Sequence, residues 1–202
     1  MTSASCSNKA AVRCGPAEVR AATKGDAAAI AAIYRPYVES DYASFEEQPP
    51  DEAELRRRMT ARPRLPWLVG VRDGDVVGYA YAATHRARPA YRWTTETSVY
   101  LRADEQGRGT GRAMYQALLR EVRELGYVQA LAGIALPNPG SVGLHEAVGF
   151  TAVGVLPGVG YKQGGWHDVG WWALALADRA ELGDPPPEPR EWQSQPTGQG
   201  RR

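Results

Sequence analysis

The sequence predicts an α/β fold of the α+β kind, with elements in the order β-α-α-β-β-β-α-β-α-β-β. Three observations carry this expectation. Asp73-Gly74 separates two short apolar runs, the strongest hairpin signal in the chain. The run from Arg112 to Leu125 lines up Met114, Leu118, Val122 and Leu125 on one helical stripe and stops at Gly126, a residue suited to closing a helix. Between that helix and the strand-like run before it lies Gln106-Gly107-Arg108-Gly109-Thr110-Gly111, a glycine-rich turn from strand to helix.

Val19 to Ala22 can begin a sheet, and Thr23-Lys24-Gly25-Asp26 then offers a capped start for a helix carrying Ile30, Ile33, Tyr34 and Val38 at helical spacing. Pro49-Pro50-Asp51 precedes a second helix, Glu52 to Thr60, with Leu55 and Met59 on one face and three arginines towards solvent. Trp67 to Val71 and Val76 to Tyr81 are the hairpin strands. Tyr91 to Leu101 is rich in Thr, Val and aromatic residues; alternation sets Thr94, Glu96, Ser98 and Tyr100 on one face, with Thr95, Thr97, Val99 and Leu101 on the other. After the 112–125 helix, Tyr127 to Ile134 reads as a strand. Ser141 is the expected cap of a short helix through Val148, closed by Gly149. Phe150 to Val155 and Trp166 to Leu176 complete the strands. From Gly183 the chain turns Pro-, Glu- and Gln-rich, a composition poor in residues for a core, so one domain at 18–178 is expected between disordered tails at 1–17 and 179–202.

Composition narrows the function. A chain of 202 residues, 43% hydrophobic, can bury one good core. With 24 basic and 23 acidic residues no global field recruits nucleic acid or anionic membrane. No window approaches the ~18 consecutive apolar residues of a membrane span, and no apolar signal segment opens the chain, so a cytoplasmic protein is expected. Cys6 and Cys14 both fall in the N-terminal tail, which disfavours a zinc site, a disulfide framework and a catalytic thiol.

The stretch from Gln106 to Gly111 has the chemistry of an anion cradle. Its glycines let backbone N–H groups approach a ligand, and the helix that follows adds unpaired donors and positive dipole character. Arg112 and Ala113 follow Gly111, so the lysine and hydroxyl of a Walker loop are missing. The glycines alternate and no acidic residue follows on a second parallel strand, which argues against a dinucleotide fold.

The pattern Gln106-x-x-Gly109-x-Gly111 resembles the acetyl-CoA loop of the GNAT acetyltransferase superfamily, and the order of elements is the GNAT order from about Val19 to Leu176. Four segments narrow the resemblance to the phosphinothricin N-acetyltransferase branch: Ala87 to Thr94; Glu96 to Tyr100; Leu136-Pro137-Asn138 with His145-Glu146-Ala147; and Gly165 to Gly170. The resemblance implies a mixed, mostly antiparallel sheet of six to seven strands flanked by about four helices, acetyl-CoA as co-substrate, no metal, a small amino acid acceptor and a homodimer. One departure is Asn138-Pro139-Gly140-Ser141, where that branch commonly carries Asn-Asp-Pro-Ser, so a shifted helix start is expected.

Acetyl transfer to an amine needs a neutral nitrogen, hence a base, and a carboxylate partly withdrawn from water is suited to take the proton. The resemblance places that base at Glu96. It places a second catalytic residue at His145, whose imidazole can act as acid or base. Cofactor contacts carried over are the backbone of Val99 and Leu101 for the pantetheine arm, Gln106, Gly107, Arg108, Gly109, Thr110 and Gly111 for the pyrophosphate, and Asn138. Arg86 and Arg88 can fork onto substrate oxyanions, while Phe45, Tyr91 and Tyr100 wall the acceptor pocket. His167 is expected to make a structural hydrogen bond, and His85 has no assigned role. The implied activity is acetylation of phosphinothricin or demethylphosphinothricin, a resistance function, by direct attack in a ternary complex. Acylation of methionine sulfoximine, methionine sulfone or ordinary amino acids is the neighbouring alternative, and a non-catalytic acyl-CoA sensor an alternative of another class.

Overall fold

The computed structural model describes residues 16–184 and 186–193. The expectations for residues 1–15, including both cysteines, and for 194–202 lie outside the described residues.

The strands are β1 (Glu18–Ala21), β2 (Trp67–Arg72), β3 (Asp75–Thr84), β4 (Thr94–Leu101), β5 (Gln129–Leu136), β6 (Thr151–Lys162) and β7 (Gly165–Ala175). They form one seven-stranded sheet in the order β1-β2-β3-β4-β5-β7-β6. Every pairing is antiparallel except β4 with β5, which is parallel. This is the mixed, mostly antiparallel α+β sheet that the resemblance implied.

Helices α1 (Ala27–Glu39) and α2 (Glu52–Met59) cover one face, α3 (Thr110–Glu124) and α4 (Pro139–Ala147) the other. Each face has its own core. Ile30, Val38 and Leu55 pack with Trp67, Val69 and Tyr79 on the first; Met114, Leu118 and Val122 pack with Ala80, Ala130 and Ile134 on the second. The stripe read along α3 is the stripe that is buried. That helix ends as its glycine promised: Gly126 takes φ 94°, its N–H reaches Arg123 O, and Tyr127 N reaches Val122 O. The turn at Asp73-Gly74 has both residues at positive φ, the hairpin geometry expected of that pair.

Three expectations need correction. α4 begins earlier than expected: Asn138, not Ser141, is its cap, with Oδ1 accepting from Ser141 N at 3.0 Å and Pro139 in the first turn, where its missing N–H costs nothing. β6 runs to Lys162 rather than ending near Val155, because an irregularity between Leu156 and Gly160 absorbs Pro157 and Gly158 and pairing with β7 resumes at Gly160.

The third concerns the C-terminal segment, expected to be disordered from 179. Residues 179–181 form a short 3-10 turn, and residues 186–193 lie against the α3 side of the domain. Arg190 N donates to Leu125 O and Trp192 N to Arg64 O at 2.7 and 2.8 Å. Trp93 Nε1 donates to Pro187 O at 2.8 Å, and Arg92 pairs with Glu188. Trp192 is only 4% exposed, packed into the α3 core with its indole N–H on Glu121 at 2.9 Å. Average composition hides one large side chain whose burial and satisfied N–H suffice to dock a polar strap.

No helix among the described residues is long and apolar enough to cross a membrane.

Candidate active site

The parallel partners β4 and β5 are paired only at Thr94–Gln129, Thr95–Ala130 and Glu96–Leu131. Beyond Glu96 they diverge, and the wedge between them opens into a cleft of about 390 Å³. Thr97 to Leu101 form one wall, and Gly133 to Ala135 with α4 form the other. Tyr37 of α1 and the loop from Glu105 to Gly109 close its length. Tyr37 donates to Leu101 O at 2.6 Å and so fixes the end of β4.

The loop is shaped as an anion cradle requires. Gly107 and Gly109 stand at φ 74° and 81°, left-handed conformations that a side chain would strain. α3 starts at Thr110, so the N–H groups of its first turn have no partner further back in the helix and face the loop. Gly111 lines the cleft, where a Cβ would press on Leu101 and Leu144 at 3.2 and 3.3 Å. A cleft of mixed polar and apolar lining leading to backbone donors fits an acyl-pantetheine arm ending in a pyrophosphate. Among the described residues no group of three or more His, Cys, Asp or Glu could hold a metal.

Beneath the loop lies a buried ion cluster that the sequence did not announce. Glu105 is 1% exposed and takes Arg72 in a fork, Nε to Oε1 at 2.7 Å and Nη2 to Oε2 at 3.0 Å. Thr110 Oγ1 donates to Oε2 at 2.9 Å, Arg108 Nη1 to Oε1 at 3.2 Å, and Ala17 N to Thr110 Oγ1 at 3.2 Å. The Arg72 hydrogen bonds, set against desolvation, hold the carboxyl below its ordinary pKa. A buried charge paired this fully fixes geometry more than it adds stability. The side chains of Arg108 and Thr110, expected at the cofactor, are therefore turned to Glu105, which leaves their backbone N–H groups for an anion.

Glu96 stands at the head of the wedge, its side chain 35% exposed. On its neighbour β3 the partner of Glu96 is Ala83, and two residues further on His85 bends back so that Nδ1 lies 2.7 Å from Glu96 Oε1. Arg86 Nε donates to His85 Nε2 at 3.3 Å, and its guanidinium carbon lies 5.8 Å from the centre of the Tyr91 ring. Tyr91 ends a short 3-10 turn, Pro89–Tyr91, started by Arg88.

His145 lines the cleft from α4. Its Nδ1 points at Ser141 O at 2.7 Å and so carries the proton, while Nε2 accepts from the Tyr115 hydroxyl at 2.8 Å. Burial pushes its pKa below the ordinary value, so the ring is neutral near pH 7. Its backbone is held too: Phe150 N donates to His145 O and Gly149 N, at φ 101°, to Glu146 O.

The residues named for the acceptor divide. Tyr100 lines the cleft but leans into an aromatic cluster, with ring centroids 4.8 Å from Tyr34 and 5.1 Å from Tyr37. Phe45 covers the tip of the β6–β7 hairpin, where a Cβ on Gly160 would fall 2.3 Å from its ring. The segment around Phe45 forms a roof: Tyr42 stacks on His167 at 4.2 Å and donates to Pro137 O at 2.8 Å, and Lys162 Nζ donates to Ser44 O at 2.5 Å. His167 bonds Lys162 O at 2.9 Å, the structural role expected of it.

A splayed parallel pair with a glycine loop at a helix start is a cleft shaped for an acyl-carrying anion. The chain belongs to the GNAT acetyltransferase family: residues 19–171 match the acetyltransferase (GNAT) domain. Over 158 residues it is 43% identical to a phosphinothricin N-acetyltransferase of Streptomyces viridochromogenes, covering 78% of this chain and 86% of that one. An L-methionine sulfoximine/L-methionine sulfone acetyltransferase of Salmonella typhimurium is 36% identical over 164 residues, 80% of this chain and 96% of its own. Among solved structures, a GNAT superfamily phosphinothricin acetyltransferase of Sinorhizobium meliloti, in complex with acetyl-CoA, superimposes with a TM-score of 0.76 at 37% identity, covering 79% of this chain and 88% of that one.

Proposed function

We propose that this N-acetyltransferase acetylates the free α-amine of phosphinothricin or its demethyl form, with acetyl-CoA as donor, by direct attack in a ternary complex in the cytoplasm. The observation that carries the reading is the place of Glu96, the last residue of β4 paired with β5 before the two strands splay into the cleft, with its carboxylate part-exposed beside His85. Acetyl-CoA, once bound, supplies an acyl group already activated as a thioester. The loop and the first turn of α3 hold its pyrophosphate, and the backbone of Val99 and Leu101, with Asn138, meets the pantetheine arm. Glu96 takes the proton from an ammonium that is mostly protonated at neutral pH, directly or through a water. His145, which lines the cleft with Tyr115 as its hydrogen-bond partner, is the second catalytic residue, as acid or as base. Arg88 and the outer edge of Arg86 face the acceptor oxyanion, with Tyr91, Phe45 and Tyr100 as walls.

A second reading, acylation of methionine sulfoximine or methionine sulfone, is favoured by one observation. Arg86 gives its Nε–H to His85 and lies over Tyr91, which leaves less of its fork for an ionised phosphinate. A screen of amino acid acceptors with acetyl-CoA and a thiol-release readout decides. Phosphinothricin is expected to exceed methionine sulfone in kcat/KM by about tenfold or more, the effect of one charge-assisted hydrogen bond at roughly 1.5–3 kcal/mol. Methionine sulfone in first place transfers the assignment to the second reading.

The same reading includes a homodimer. β6 is an edge strand with Val153, Val155, Leu156 and Val159 in solvent, together with Tyr161 and Trp166, and an apolar edge of that length calls for a partner.

A further inference from the structure

We infer that His85 is a positioning residue for the base, holding Glu96 in the orientation that receives the substrate proton; this rests on the reading of Glu96 as that base. The argument starts from donor chemistry. A guanidinium only donates, so the contact of Arg86 Nε with His85 Nε2 at 3.3 Å makes Nε2 the acceptor and leaves the ring proton on Nδ1. That proton is given to Glu96 Oε1 at 2.7 Å. The result is an ordered chain, guanidinium to imidazole to carboxylate, in which Oε1 is occupied and Oε2 is left for the ammonium or its relaying water.

Packing holds the imidazole where the chain needs it. The His85 side chain is 12% exposed, against 35% for Glu96. Tyr91 meets its ring edge-on at 5.5 Å and Trp171 does so at 6.1 Å. Trp171 belongs to β7 and faces Gly133 of β5, in the opposite wall of the cleft, so the ring is wedged between the two sides of the opening. Glu96 sits where β4 loses its neighbour, and a carboxylate there has several rotamers to choose from. A proton acceptor about 1 Å from its productive place loses roughly a hundredfold in rate, so a fixed donor to Oε1 has a direct kinetic value.

The experiment compares His85→Phe, which keeps the aromatic contacts and removes the donor, with His85→Asn, which keeps an N–H near the place of Nδ1. Both are also made in a Glu96→Gln background, and the acceptor is phosphinothricin, or methionine sulfone if the screen ranks it first. His85→Phe is expected to lower kcat by about 10- to 100-fold with the KM for acetyl-CoA unchanged. His85→Asn recovers most of the loss, and in Glu96→Gln enzyme the His85→Phe change costs no further rate, since the two residues act as one unit. Equal losses in the Phe and Asn variants, or a full additional loss in the Glu96→Gln background, overturn the positioning role. Normal turnover by Glu96→Gln alone sinks the base assignment itself, and is distinguishable from either.

Discussion

β6 carries Val153, Val155, Leu156 and Val159 with no charge before Lys162, and these side chains stand in solvent. Residues 186–193, made largely of Pro, Glu and Arg, place Trp192 inside the α3 core. The two segments invert what their composition suggests. Trp192 is buried and the strap is held because three elements receive it: the β4 approach at Trp93, α3 at Glu121 and Leu125, and the loop at Arg64. Among the described residues the hairpin is anchored through β7 and near its tip, by Phe45 over Gly160, Tyr42 on His167, Lys162 on Ser44 and Gln163 on Glu39. Burial follows available partners, and among the described residues the apolar side chains of this edge strand meet none that cover them.

The strongest way to break this contrast is Trp192→Ala. Losing a buried indole is expected to cost about 3–5 kcal/mol in denaturant unfolding. A cost under about 1 kcal/mol would mean that the strap rests on the surface without supporting the core.

Gly160→Val tests the anchored tip of the hairpin. Its Cβ would fall 2.3 Å from the edge of the Phe45 ring, so an overpacking penalty of roughly 1–3 kcal/mol is expected, with a raised KM for the acceptor and no change for acetyl-CoA. Unchanged acceptor KM would remove Phe45 from the acceptor wall.

The smallest effect on the folded chain belongs to Val155→Glu. On an open edge it should shift unfolding free energy by no more than about 0.5 kcal/mol, yet convert a dimer to a monomer in light scattering. Wild-type protein that is monomeric at micromolar concentration, or a dimer that survives the change, would leave the exposed edge without its proposed partner.

These contrasts also show where the sequence was legible. Periodicity and glycine placement were enough for the order of elements, for the α3 stripe and for the turn at Asp73-Gly74, because each depends on neighbours within a few residues. The resemblance brought Glu96, His145 and the loop to one cleft lining or its head. The rest depended on distance along the chain. Arg72 and Glu105 meet through two successive antiparallel connections, β2 to β3 and β3 to β4, and no local pattern announces a pair of opposite charges so far apart. His85 was dismissed although a partial signal existed: with β3 and β4 paired in register, a residue two past Ala83 falls on the same face as Glu96. Trp192 was lost in an average taken over its polar neighbours.

α4 carries a last consequence. Asn138 fixes its first turn and the Gly149–Phe150 turn fixes its last, while β5 ends at Leu136 and β6 starts at Thr151, so the stretch around His145 has no spare residue. Insertions survive where a loop can absorb them. In descendants of this sequence α4 can therefore change its outward side chains but not its length, whereas the roof segment around Phe45, free of regular structure, can lengthen. New acceptors are expected to arise by remodelling the roof while His145 keeps its address.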